Sequence, residues 1–172
     1  MQITEKFPIC IEDLSKALSK WPNLSELVEQ LINRYPLPLG GCHRMQFDHA
    51  SVVLDLWLGD VHNVLPDMHS GKTGTVDCWF LDGFAPSKNP DMWTEALFEE
   101  MARLSRPEAT FATFTAAGSV KRGLKTAGFS VEKRKGFGRK RDMLAGVLSE
   151  VPAQRVVDKV HFRHGASENK DN

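Results

Sequence analysis

Three acids stand where apolar runs stop: Glu5 after Gln2-Ile3-Thr4, Asp60 after the run ending Leu58-Gly59, and Asp82 after Cys78-Trp79-Phe80-Leu81. An ionised carboxylate only accepts hydrogen bonds. At a strand end it can hold a pair of ribose hydroxyls, bind an amino group, or take a proton from one. It can equally cap a helix that follows. One such acid alone favours the cap; three together favour a ligand cleft. Asp82 has the most specific surroundings. Gly83, Phe84, Ala85 and Pro86 follow it, so a carboxylate, backbone carbonyls and an aromatic face lie side by side in a loop closed by proline. That set suits a target amine, with acceptors for its hydrogens and a plane for the ring that carries it. The same residues also read as a turn in which Phe84 fills the core.

Other candidate motifs fall away. Ser70-Gly71-Lys72-Thr73-Gly74 ends like a phosphate-binding loop, but Pro66 stands where the earlier glycine is required and no helical pattern follows. Gly136-Phe137-Gly138 begins like a dinucleotide fingerprint but ends in Arg141 and lies between two strand patterns. The six histidines have no helical or finger-type spacing, so no metal is expected. Cys10, Cys42 and Cys78 are widely spaced, which reads as reduced thiols in a cytoplasmic protein, Cys78 inside a strand. No apolar run is long enough to span a bilayer, and no signal peptide is visible.

Charge is unevenly placed. The net charge of the 172 residues is zero, yet residues 121–141 hold nine basic side chains against Glu132 alone. Such a segment is either a polyanion footprint or a solvated helix face followed by a charged turn. Lys121, Arg122 and Lys125 fall on one helical face, and Arg139, Lys140 and Arg141 fill a turn.

The elements that must position these residues follow from periodicity. Helical stripes run over 9–21 and 24–32, the second closed by Tyr35-Pro36. Strands are expected over 43–48 and 51–58, then a polar loop over 67–74. A buried strand over 75–82 leads to a helix over 93–105 with Trp93, Ala96, Leu97, Met101 and Leu104 inward. A strand over 110–115, a helix over 117–127 ended by Gly128, and strands over 129–135 and 142–148 complete the set. This alternation predicts an α/β fold with a mostly parallel, doubly wound sheet, helices on both faces and a terminal antiparallel hairpin. Ligands of such sheets sit beyond the carboxyl ends of the strands. Residues 1–150 read as one domain and 151–172 as a polar, flexible tail.

Several stretches together resemble one family. They are EKFP (5–8), WPNL (21–24), LPLGGCHR (37–44), LDLWLGD (54–60), WFLDGFAPSKNPDMW (79–93), RLSRP (103–107), ATFTAAGSVKRGLKTAGF (112–129) and KGFGRKRDML (135–144). The family is the methyltransferase half of the bifunctional proteins that complete 5-methylaminomethyl-2-thiouridine at the wobble position of tRNA. The resemblance implies a class I, Rossmann-like fold, S-adenosylmethionine as methyl donor and tRNA as partner. It implies Glu5 on the ribose hydroxyls, Asp60 near adenine, and Asp82 with Gly83 beside the transferred methyl. Asp82 is the expected catalytic residue. Phe84, Ala85 and Pro86 would wall the acceptor amine, and Lys121, Arg122, Arg139, Lys140 and Arg141 would face the tRNA. The family's Arg-Pro-Gly-Gly turn reads Arg106-Pro107-Glu108-Ala109 here. Its first strand, its glycine-rich cofactor loop and an FAD-dependent oxidoreductase half are expected to be missing from this chain, with a separate chain as one possible source of the missing parts. The rival expectation is a non-catalytic remnant that binds polyanions such as tRNA.

Overall fold

The computed structural model describes residues 1–48, 51–138 and 140–149. The tail expected over 151–172, His49 and Arg139 lie outside the described residues. Among the described residues, seven strands form two mixed sheets. In the first, β1 (Gln2–Glu5) pairs in parallel with β3 (Val52–Leu58), which pairs antiparallel with β2 (Gly41–Phe47). In the second the order is β4 (Val76–Leu81), β5 (Ser105–Thr113), β7 (Asp142–Leu148), β6 (Phe129–Lys135). Here β4 and β5 are parallel and β7 runs against both of its neighbours. It follows that β4, β5 and β6 point the same way, and their carboxyl ends share one edge. This is the expected α/β architecture, with the sheet in two mixed pieces, one edged by β1 and β2 and the other by β4 and β6.

Helices α1 (Ile11–Leu18), α2 (Ser25–Ile32), α3 (Val61–Asp67), α4 (Glu95–Leu104) and α5 (Gly118–Thr126) complete the order. Helix α3 was not legible in the sequence. It has seven residues and contains Pro66, too short and too irregular for a periodic stripe. It forms because Asp60 caps it, the side chain accepting from the His62 N–H. Helix α4 is capped in the same way by Thr94, with Glu95 in its first turn and Arg103 in its last, both favourable to the helix dipole. Gly128 ends the α5 turn at φ 98°, a left-handed conformation that costs glycine little.

The main core lies between α4, α5 and the second sheet: Phe98, Met101, Phe111, Val120, Leu124, Leu144 and Leu148 are all at most 2% exposed. Phe111 and Phe129 meet edge to face at 5.5 Å. A second cluster of Val64, Leu65, Met68, Leu97 and Leu104 takes in Trp57 from β3 and Val76 and Trp79 from β4, and so ties the two sheets together through α3 and α4. Arg103 reinforces this join by donating to the Leu65 and Met68 carbonyls. A third cluster packs Leu31 and Tyr35 against Met45, Leu54, Leu56 and Leu58 on the other face of β3.

Four expectations change. Trp93 belongs to a 3-10 turn, Pro90–Trp93, because Thr94 is extended and starts α4 after it. Ala96 is exposed, and Phe98 takes the inward position. The strand β4 is not buried on both faces. Both α4 and α5 pack on the face that carries Trp79 and Leu81, and Phe80 on the opposite face is 80% exposed. Finally, α1 and α2 form as expected but bury no residue fully, leaving Trp21, Leu24 and Leu27 exposed.

Candidate functional site

Glu5 and Asp60 are brought together by the parallel register of β1 and β3. Glu5 lies opposite Leu58, and the Gly59 N–H donates to the Glu5 carbonyl at 2.9 Å. The Asp60 side chain is already engaged on both oxygens. Oδ2 accepts from Lys6 Nζ at 2.7 Å and Oδ1 accepts from the His62 N–H at 3.0 Å. These bonds hold the Asp60 carboxyl below the usual carboxylate range, the Lys6 ammonium contributing most and the His62 N–H next. The Lys6 ammonium is pushed up in turn by the same partner. Asp60 is thus a helix cap and an ion-pair member; each of its oxygens keeps a second lone pair for another donor.

Glu5 is more open. Its Oε1 accepts from the Phe7 N–H at 2.9 Å, and the side chain is exposed, which leaves Oε2 available for hydroxyl donors. This is the arrangement that a ribose diol requires of a carboxylate.

Asp82 follows the last residue of β4, in register with the end of β5, where Leu81 pairs with Thr113. It is exposed, and its carboxylate makes no hydrogen bond or ion pair with the described residues. The loop behind it is built around Trp93. Trp93 Nε1 donates to the Phe84 carbonyl at 2.9 Å, and the Lys88 and Asn89 N–H groups both donate to the Ala85 carbonyl. Gly83 serves this packing. A Cβ there would stand 3.3 Å from Trp93 Cζ2 and 3.7 Å from Met92, so a side chain would press on the indole. The glycine favours this close approach; its φ lies outside the left-handed region. Phe84 is 75% exposed, so it does not fill the core; its ring is presented to solvent beside Asp82.

The acids therefore fall into a pair and a single member. His62 links them: its Nε2 donates to the Asp91 carbonyl at 2.7 Å, joining the helix capped by Asp60 to the turn that carries Trp93. Lys6, His62 and Trp93 were missed as site residues in the sequence reading. Lys6 and Trp93 stand within the EKFP and KNPDMW stretches, which was the available signal; nothing in the spacing of His62 marked it.

On the basic segment, Arg122 and Lys125 are exposed on α5 and Lys121 is half-buried. Lys140 and Arg141 are exposed in the β6–β7 turn. Because β6 points the same way as β4 and β5, this turn lies on the same edge as Asp82. Among the described residues no helix is long and apolar enough to cross a membrane.

The fold is of the α/β class with acids at strand ends, and sequence comparison assigns its family. Residues 22–149 match the S-adenosyl-L-methionine-dependent methyltransferase family, and the chain belongs to that family. It is 59% identical over 146 residues to the tRNA 5-methylaminomethyl-2-thiouridine biosynthesis bifunctional protein MnmC of Pseudoalteromonas atlantica. The match covers 85% of this chain and 21% of that protein, so the chain spans about a fifth of its relative. Its fold is similar to the crystal structure of MnmC2 from Aquifex aeolicus, with a TM-score of 0.61 at 24% identity, covering 89% of this chain and 45% of that one.

Proposed function

We propose that this chain carries the acceptor side of a domain that methylates the aminomethyl nitrogen of a modified wobble uridine in tRNA, the last step toward 5-methylaminomethyl-2-thiouridine. The observation that carries the reading is the Asp82–Pro86 loop. A carboxylate without a partner among the described residues and an exposed aromatic ring stand at the carboxyl edge of the sheet, on a loop pinned by Trp93, in a member of an S-adenosylmethionine-dependent family. Residues 1–150 are proposed as the domain, acting in the cytoplasm. FAD would belong to the oxidoreductase half and is assigned no residue here.

The donor supplies an electrophilic methyl on a positively charged sulfur. Glu5 Oε2 fits the ribose hydroxyls, and the spare lone pairs of Asp60 fit the adenine amino group. Phe84 offers a face to the uridine ring, and the Phe84–Pro86 backbone lines the amine. An alkyl amine has a reference pKa of about 10.4 and is mostly protonated at neutral pH, so it needs a proton acceptor before it can attack. Asp82 accepts that proton. The bound donor would supply the methyl, its C–S bond breaking with the electron pair left on sulfur as the amine nitrogen forms the new N–C bond. Positioning of the amine by the Phe84–Pro86 backbone would supply most of the remaining acceleration.

The test is direct. A chain carrying the whole domain is incubated with methyl-labelled S-adenosylmethionine and tRNA bearing the aminomethyl group, and the nucleosides are analysed. Label in 5-methylaminomethyl-2-thiouridine is expected. Label absent from every tRNA nucleoside would favour the polyanion-binding remnant.

A further inference from the structure

The β6–β7 turn carries a feature that phosphate contacts alone leave unexplained. Phe137 is 84% exposed, the most exposed large apolar side chain among the described residues. The turn is shaped to hold it there. The Lys140 N–H donates to the Phe137 carbonyl at 3.2 Å and the Gly136 N–H to the Arg141 carbonyl at 3.1 Å, closing a tight loop. A Cβ at Gly136 would collide with the Lys140 backbone carbonyl, and Gly138 sits at φ 61°. Both glycines are therefore required by the loop that projects the ring. A turn needing only charge would place a polar residue at that point, because a packed Phe would contribute roughly 1.5–3 kcal/mol that this one forgoes.

Charge around the ring selects the partner. On β6, Lys133 pairs with Asp142 at 2.9 Å and Arg134 with Glu132 at 2.9 Å. Lys135, Lys140 and Arg141 flank Phe137, are exposed, and form no ion pair among the described residues. An aromatic face ringed by uncompensated cations fits an unpaired nucleobase with its adjoining phosphates. A duplex alone would offer phosphates but no free base face. The turn stands on the same edge as Asp82, three strand spacings or roughly 14 Å across the sheet and about three residues, roughly 10 Å, further out along the strand direction. That separation suits a nucleotide a few positions from the one being modified.

We propose that Phe137 stacks on an unpaired base of the RNA substrate while Lys135, Lys140 and Arg141 hold the neighbouring phosphates. This rests on the tRNA reading above, and the experiment separates the two. Affinity of the full 172-residue chain for an anticodon stem-loop RNA is measured against salt concentration. Phe137→Ala and Phe137→Trp are compared with the triple substitution Lys135→Ala, Lys140→Ala, Arg141→Ala. Stacking predicts a loss on the order of 10-fold for Phe137→Ala with an unchanged salt slope, and retained affinity for Phe137→Trp. The triple variant should flatten the slope by about 0.7 per charge removed. Abasic loop RNAs locate the base: one abasic position should abolish the difference between wild type and Phe137→Ala. A flattened slope in the triple variant with no effect of Phe137→Ala would overturn stacking and leave the tRNA reading intact. Absence of RNA binding by any form, or tighter binding to anionic phospholipid vesicles that depends on Phe137, would overturn both.

Discussion

At the residue scale, the three strand-end acids look alike in the sequence and differ in the structure. Asp60 is engaged on both oxygens by Lys6 and the His62 N–H, Glu5 is engaged on one, and Asp82 is free of partners among the described residues. The difference was not legible, because it depends on which side chains neighbouring strands bring across. Trp93 is the residue on which the Asp82 loop leans. Trp93→Phe keeps a ring but loses the N–H donor to the Phe84 carbonyl, so the amine-lining backbone should loosen. In a complete domain we expect KM for tRNA to rise and kcat to fall together, by about 10-fold or less, since one neutral hydrogen bond is worth roughly 1 kcal/mol. Steady-state kinetics of methyl transfer check this. A second residue carries strain. Glu108 sits at φ 64° in the bulge between the Val76–Ser105 and Cys78–Thr110 pairs, where the resembling family has glycine. Glu108→Gly should relieve the left-handed penalty, offset in part by added chain entropy, for a net gain of about 0.5–1 kcal/mol. A melting temperature raised by roughly 2–4 °C is expected, and a lowered one would mean the bulge needs the side chain.

At the scale of elements, strands that alternate or cluster strongly were legible, and short or edge elements were not. The hairpin of β6 and β7 falls where periodicity put it, with Gly146 inside. A Cβ there would meet the Ser130 carbonyl and the Phe111 ring, so Gly146→Ala should cost about 3 kcal/mol in stability by denaturant melting. The β2–β3 hairpin holds the buried Asp55, which accepts two bonds from Arg44 at 2.7 and 2.8 Å. Those bonds hold its carboxyl below the ordinary value near 3.8. A depressed folded pKa means that the stabilisation is present above the unfolded value and is lost as pH falls through the folded one. Acid titration should therefore show stability falling below about pH 4, and Arg44→Ala should weaken that dependence. An identical acid profile for both would remove the pair from the account. Helix α3 is not legible because its cap, Asp60, also suits a ligand role and the seven residues after it carry no apolar stripe.

At the scale of the whole molecule, the α/β class and the carboxyl-edge site were legible, since both follow from alternation and from where acids stop apolar runs. The split into two sheets follows from pairing instead. Among the described residues no backbone ladder joins β1 to β4, and α3 and α4 bridge the two sheets through the Leu65–Leu104 cluster. Because Glu5 and Asp60 belong to one sheet and Asp82 to the other, the donor-binding and acceptor-binding groups are held by side-chain packing, the His62–Asp91 bond and the Arg103 bonds to Leu65 and Met68. The 172-residue chain should accordingly bind S-adenosylmethionine weakly, and calorimetric titration giving a micromolar dissociation constant would contradict that. The central claim is the proton-accepting role of Asp82, and Asp82→Asn tests it most directly. Asn is nearly isosteric and keeps a carbonyl acceptor but is not an effective base. Single-turnover methyl transfer to aminomethyl-bearing tRNA, in a chain with the whole domain, should slow by about 10²-fold or more. Thermal melting should stay unchanged, as expected for an exposed side chain without partners among the described residues. Near-full activity in Asp82→Asn, with folding intact, would contradict the account.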